Sequence, residues 1–185
     1  LKLIIFKKGE FPTMDGITMP LNDKLVVKFA FEHDLKNIVL ALDSVKTSDN
    51  FTFSSPLAYN AIPDLLQLRS SVFELGKIYF LLLDDTETIR GIAEFETSAI
   101  SRYITNSVAI LSYVSCPSKN LDEFVKGCAS LINKVALCRT TKIRTYIPVD
   151  QPEAIESFSH SGFEKAAFLK EEYGKIDVCM MDYFV

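Results

Sequence analysis

At 185 residues, 48% of them hydrophobic, the chain is long enough for one domain with a substantial core and too short for two of ordinary size. Its 20 Lys and Arg against 24 Asp and Glu leave a net charge of −4, which offers no broad positive field to nucleic acid or an anionic membrane. The four cysteines, Cys116, Cys128, Cys138 and Cys179, show no C-x-x-C spacing, and the only histidines are His33 and His160, so a zinc site is not expected. Reduced thiols in a cytoplasmic protein are the expectation, because an apolar domain of this size has no need of disulfides. The apolar opening Leu3–Phe6 is too short for a signal-peptide core, and no run approaches the roughly 18 apolar residues of a membrane helix.

In chain order, Gly9, Pro12, Asp15-Gly16 and Pro20 break residues 1–24 into turns and short extended pieces, an expected amino-terminal extension. Regular patterning begins at Leu25, with a strand to Ala30, and Asp34 is placed to cap a helix carrying Leu35, Ile38, Val39 and Leu42 on one face. A polar stretch from Ser44 to Ser55 interrupts, and Pro56 to Glu74 reads as two helical pieces divided at Pro63. Three strand-like runs follow, Lys77–Leu83, Ile89–Glu96 and Ser107–Ser115, and the short Asp84–Thr88 link predicts antiparallel pairing.

After Pro117 the pattern changes to a helix with Leu121, Phe124, Val125, Cys128, Leu131, Ile132 and Val135 on one stripe, which demands burial against a sheet. Asn120 and Glu123 have the spacing of a capping pair at its start. Lys142–Val149 reads as a strand and Pro152–Ser161 as a short helix stopped by Gly162. Glu164–Glu172 and Lys175–Tyr183 then read as a hairpin around Tyr173-Gly174.

The closing segment Ala154-Ile155-x-x-Phe158-x-x-x-Gly162-Phe163, with the hairpin after it, resembles the end of the GNAT superfamily of N-acetyltransferases. The order of elements over residues 25–185 resembles that family too. The resemblance implies an α/β (α+β) fold: a mixed, mostly antiparallel central sheet flanked by helices, with two parallel strands that splay apart around the long helix. It also implies an acyl-CoA-dependent transfer to a small-molecule or peptide amine, acetyl-CoA as co-substrate, no metal, and a homodimer as one allowed arrangement.

In that family, coenzyme A enters between the splayed strands, and its pyrophosphate meets backbone amides at the start of the long helix. Val114, Ser115 and Cys116 are therefore the candidates for backbone pairing with the pantetheine arm, and Ser118, Lys119 and Asn120 for the phosphates. The family's glycines are missing here: Glu123 and Val125 stand in their places, and Asp122 and Glu123 put two carboxylates in the first helical turn. Phe158 replaces the tyrosine that in many members protonates the departing thiolate, and a phenyl ring has no proton to give.

Tyr113 and Tyr146, on the two strands that would splay, are the candidate replacement hydroxyls. The ordinary role of such a residue is that of a packing aromatic with a hydrogen-bonded tip. Glu94 and Glu96 alternate with Phe95, so both carboxylates share one face of a strand. Such a pair could hold or deprotonate an ammonium, with Glu94 the candidate base, or could simply be a polar face turned to water. Cys116 has no histidine near it in this topology, which leaves a Cys–His mechanism little support. Two functions compete: an N-acyltransferase working by direct attack of an amine on the thioester, and a GNAT-fold module that binds or regulates without catalysis. A weaker third reading makes residues 1–24 a docking strand or exchange arm.

Overall fold

The computed structural model describes residues 17–22, 24–42, 44–45, 49–56, 65, 68, 77–97, 108–135 and 140–185. Among these, nine strands form one sheet: β1 (Thr18–Asn22), β2 (Leu25–Phe29), β3 (Asn50–Ser54), β4 (Lys77–Asp84), β5 (Ile89–Thr97), β6 (Val108–Pro117), β7 (Lys142–Pro148), β8 (Glu164–Tyr173) and β9 (Ile176–Phe184). They are accompanied by the helices α1 (Leu35–Ala41), α2 (Leu121–Val135) and α3 (Pro152–His160).

The spatial order is β1-β2-β4-β5-β6-β7-β9-β8, with β3 added to β6 off this path. Among the described residues only β6 and β7 pair in parallel, as the strand–helix–strand crossover through α2 requires. That pairing is brief: Val108, Ala109 and Ile110 lie opposite Lys142, Ile143 and Arg144. Beyond Ile110 the two strands separate.

The extension expected over residues 1–24 is corrected in part. Thr18–Asn22 pairs antiparallel with β2, and Ile17, Met19 and Leu21 pack on the core, so a boundary at residue 24 falls inside a hairpin. Pro20 sits in the edge strand, where a missing N–H is tolerated. Residues 1–16 lie outside the described residues, as does most of the helical region expected over 56–74, of which Leu68 is buried.

One face of the sheet is covered by α2 and α3. Of the predicted stripe, Leu121, Phe124, Val125, Cys128, Leu131 and Ile132 are buried there against Phe80, Leu82, Phe95, Leu111 and Val114, and the Val135 side chain lies outside the described ones. Each fully buried large side chain contributes about 1.5–3 kcal/mol. Gly127 allows the closest approach, since a Cβ there would stand 2.6 Å from Val27 Cγ2.

On the other face, α1 buries Leu35 and Ile38 against Tyr79, Leu81 and Ile92. Asp34 does not cap α1 as expected. It closes the 3-10 turn Glu32–Asp34 instead, accepting from the Phe31 N–H at 3.0 Å and from Lys28 Nζ at 2.7 Å.

The helix α3 ends as Gly162-Phe163 predicts. Gly162 has φ +88°, Gly162 N–H donates to Ser159 O and Phe163 N–H to Phe158 O, and the Phe163 ring returns to lie 5.1 Å from that of Phe158. These are the two bonds and the apolar contact of a Schellman end.

Candidate functional site: the cleft between β6 and β7

The gap opened by the splay is filled by the chain itself. β3 lies antiparallel to the distal half of β6, with Asn50 opposite Pro117, Phe51 opposite Cys116, Thr52 opposite Ser115, Phe53 opposite Val114 and Ser54 opposite Tyr113. The pairing continues past both ends of the strand. Ser55 N–H donates to Ser112 O at 2.8 Å, and Ser118 N–H to Asp49 O at 3.3 Å. Ser55 Oγ reaches across to Tyr146 O of β7 at 3.2 Å. The sequence reading left residues 44–55 as a polar interruption; the short Phe51-Thr52-Phe53 alternation was the signal that it passed over.

Side chains lock this arrangement on both faces. Phe51 and Phe53 meet the Phe158 ring edge-on at 5.5 and 5.1 Å, so Phe158 is a wholly buried packing residue. On the opposite face, Ser115 Oγ donates to Val45 O at 2.8 Å, which commits its one proton. Thr52 Oγ1, 2.8 Å away, is therefore the donor to Ser115.

Val114, Ser115 and Cys116, the candidates for pantetheine pairing, are thus buried with β3 as their ladder partner. Burial pushes the Cys116 thiol up to about 12, so it is no nucleophile near neutrality. At the head of α2, Ser118 and Lys119 are exposed and Asn120 is buried in the 3-10 turn Ser118–Asn120. Both the Ser118 N–H and its hydroxyl point to Asp49 O, the hydroxyl at 3.2 Å. The expected Asn120–Glu123 capping pair gives way to a different contact, with Glu123 Oε2 3.5 Å from Asn22 Nδ2 on β1.

Beside the cleft lies a buried polar cluster. The solvent-facing alternative for the Glu94–Glu96 face is corrected, since Glu94 is only 3% exposed. Its carboxylate accepts from Lys77 Nζ at 2.7 Å, Tyr79 OH at 2.5 Å and Ser112 Oγ at 2.7 Å. Glu96, half-buried, stands 3.7 Å from the same ammonium, and burial raises its carboxyl above the ordinary value against the pull of Lys77. The pair is therefore an ammonium site, and the ammonium in it is the protein's own.

Tyr113 lies opposite Glu94 on β6. Its hydroxyl is buried and makes no hydrogen bond of good geometry. Burial raises this phenol; Ser115, whose proton goes to Val45, exerts a smaller opposing pull, and the Glu94 charge adds to the rise. Tyr146 is set apart from Tyr113 by β3 and faces Arg144, whose guanidinium it helps to hold charged together with Asp182. The structure therefore brings Tyr113 and Glu94 together and leaves Tyr146 on the far side of the inserted strand.

The architecture matches solved structures across most of its length. Spermidine N-acetyltransferase from Vibrio cholerae, in a dodecameric intermediate state, is 17% identical with a TM-score of 0.60 over 88% of this chain and 95% of its own. A chimera of the Vibrio cholerae enzyme with hSSAT gives 16%, 0.59, 86% and 95%. The spermidine/spermine N-acetyltransferase of the same organism in complex with manganese ions gives 18%, 0.55, 89% and 95%. The fold is that of a GNAT N-acetyltransferase. No protein-family model matches the chain, and no curated protein matches it significantly. In this chain the strand β3 lies between the distal parts of β6 and β7. Among the described residues no helix is long and apolar enough to cross a membrane.

Proposed function

We propose that the chain is an acyl-CoA-dependent N-acyltransferase, with acetyl-CoA the simplest donor and a small-molecule or peptide amine the acceptor. The observation that carries this reading is the Glu94 carboxylate, buried on the strand next to the splay and already holding an amine, with the unpartnered Tyr113 hydroxyl beside it. The structural neighbours, which are N-acetyltransferases, support it at the level of fold.

In the proposed reaction the acceptor nitrogen attacks the thioester carbonyl carbon and the C–S bond breaks. The proton leaving the attacking nitrogen passes through water to Glu94, whose carboxylate shares its charge with Lys77, and Tyr113 supplies a proton to the departing thiolate. A phenol raised by burial stays protonated at neutral pH, as a proton donor must. The backbone of Val114, Ser115 and Cys116 would pair with the pantetheine arm. Ser118, Lys119 and Asn120 lie where the phosphates would follow, and Tyr146 is a second hydroxyl on the facing strand. The three described thiols, Cys116, Cys128 and Cys179, are free and buried, in keeping with a cytoplasmic setting.

A second reading, a GNAT-fold module without catalysis, is favoured by one observation: β3 takes the β6 edge that the donor would use. Thermal shift and coenzyme A release decide between them. Acyl-CoA at 100 times its dissociation constant adds about 2.7 kcal/mol to stability. An acyltransferase shows that shift, together with amine-dependent thiol release that Tyr113→Phe slows without weakening donor binding. Millimolar acetyl-CoA producing neither shift nor thiol release would sink the enzyme reading in favour of the module.

A further inference from the structure

We propose that β3 is a built-in occupant of the acyl-CoA cleft, an autoinhibitory strand that the donor must displace from β6 before it binds; this rests on the acyltransferase reading. The pantetheine arm is an extended chain carrying two amides, so it satisfies a strand edge in the way a β-strand does. That edge, Tyr113 to Pro117, is taken residue for residue by Asn50–Ser54. The first amide at the helix start, on Ser118, is taken by Asp49 O. Strand and donor cannot both be present.

β3 is also built to leave. Among the described residues its backbone ladder runs along β6, whereas β9 is paired on both edges, by β7 and β8. It is five residues long and fully buries one large side chain, Phe53, while Phe51 remains half-buried and Thr52 is exposed. Thr52, Ser54 and Asn50 are polar groups that water can satisfy after release. The two amides of the donor would take over part of the β6 edge that β3 gives up, and water would satisfy the rest.

If the competent, strand-released state is a fraction f of molecules, the apparent dissociation constant is the intrinsic one divided by f. Shifting f is therefore visible as affinity. The Thr52→Cys/Ser115→Cys variant closes the gate: Ser55–Ser112 and Ser118–Asp49 are hydrogen-bonded pairs, so by alternation Thr52 and Ser115 form a closely spaced non-bonded pair, and their hydroxyls already touch at 2.8 Å. Phe53→Ala opens it by removing the buried anchor.

Acetyl-CoA binding, followed by calorimetry on the full chain, is expected to be lost by at least about tenfold in the oxidised double variant, to return on reduction, and to tighten about tenfold or more in Phe53→Ala. Affinities equal within about twofold for the oxidised, reduced and Phe53→Ala proteins overturn the gate while leaving the acyltransferase reading intact. Absence of binding in every form, the reduced and Phe53→Ala proteins included, overturns both.

Discussion

The Phe158 ring is enclosed by Phe51, Phe53 and Phe163 at centroid distances of 5.1 to 5.5 Å. Two of those three rings belong to β3, so the apolar enclosure of Phe158 and the presence of the inserted strand are one structural fact. A phenol placed there would have no partner among aromatic faces. Phe158→Tyr is accordingly expected to lower stability by about 1–3 kcal/mol in urea unfolding, with no gain in thiol release from acetyl-CoA. A rise in turnover would show that the position can still serve as the acid. Cys116 follows the same logic of enclosure: a thiol pushed up to about 12 is kept for packing, not for chemistry.

At the level of elements, the Lys77–Glu94 link ties β4 to β5, and both groups are at most 5% exposed. Removing one charge from such a pair strands the other. Lys77→Met should destabilise by about 3–5 kcal/mol in chemical unfolding, whereas adding Glu94→Gln, which keeps acceptor and donor groups for Tyr79 and Ser112, should recover most of that. An additive double variant would contradict the pairing. Further along the sheet, Arg144 grips Asp182 at 2.7 and 2.9 Å, joining β7 to β9, and Lys142 adds a bond at 3.0 Å. The Arg144 bond, then Lys142, hold the Asp182 carboxyl below its ordinary value against burial. A depressed carboxyl contributes stability above its unfolded pKa and loses it as pH falls. Wild type should therefore lose stability below about pH 4 more steeply than Asp182→Asn in an acid series of urea midpoints, and parallel curves would refute the link.

What the sequence made legible at this level was the periodic part. The stripe on α2, the Gly162 stop and the closing hairpin carry local signals and lie where those signals put them. β1 and β3 were missed because each is five residues long and carries either Pro20 or a polar neighbourhood, and their strand character comes from the edges they find. The buried state of Glu94 was equally hidden. Alternation placed its face correctly, but the cover over that face comes from distant parts of the chain.

Across the whole molecule, the branch at β6 also bears on the order of folding. Thr52 and Ser115 are 63 positions apart, whereas β8 and β9 are joined by a turn at Gly174-Lys175. Closing the longer loop loses more chain entropy, and its reward is a single bonded edge and one deeply buried ring. The closing hairpin can zip locally, and α2 can dock β7 beside β6 through a crossover; both can be complete while the cleft is still empty. On this ground β3 is expected to pair last, once the strands on either side of the cleft are in place.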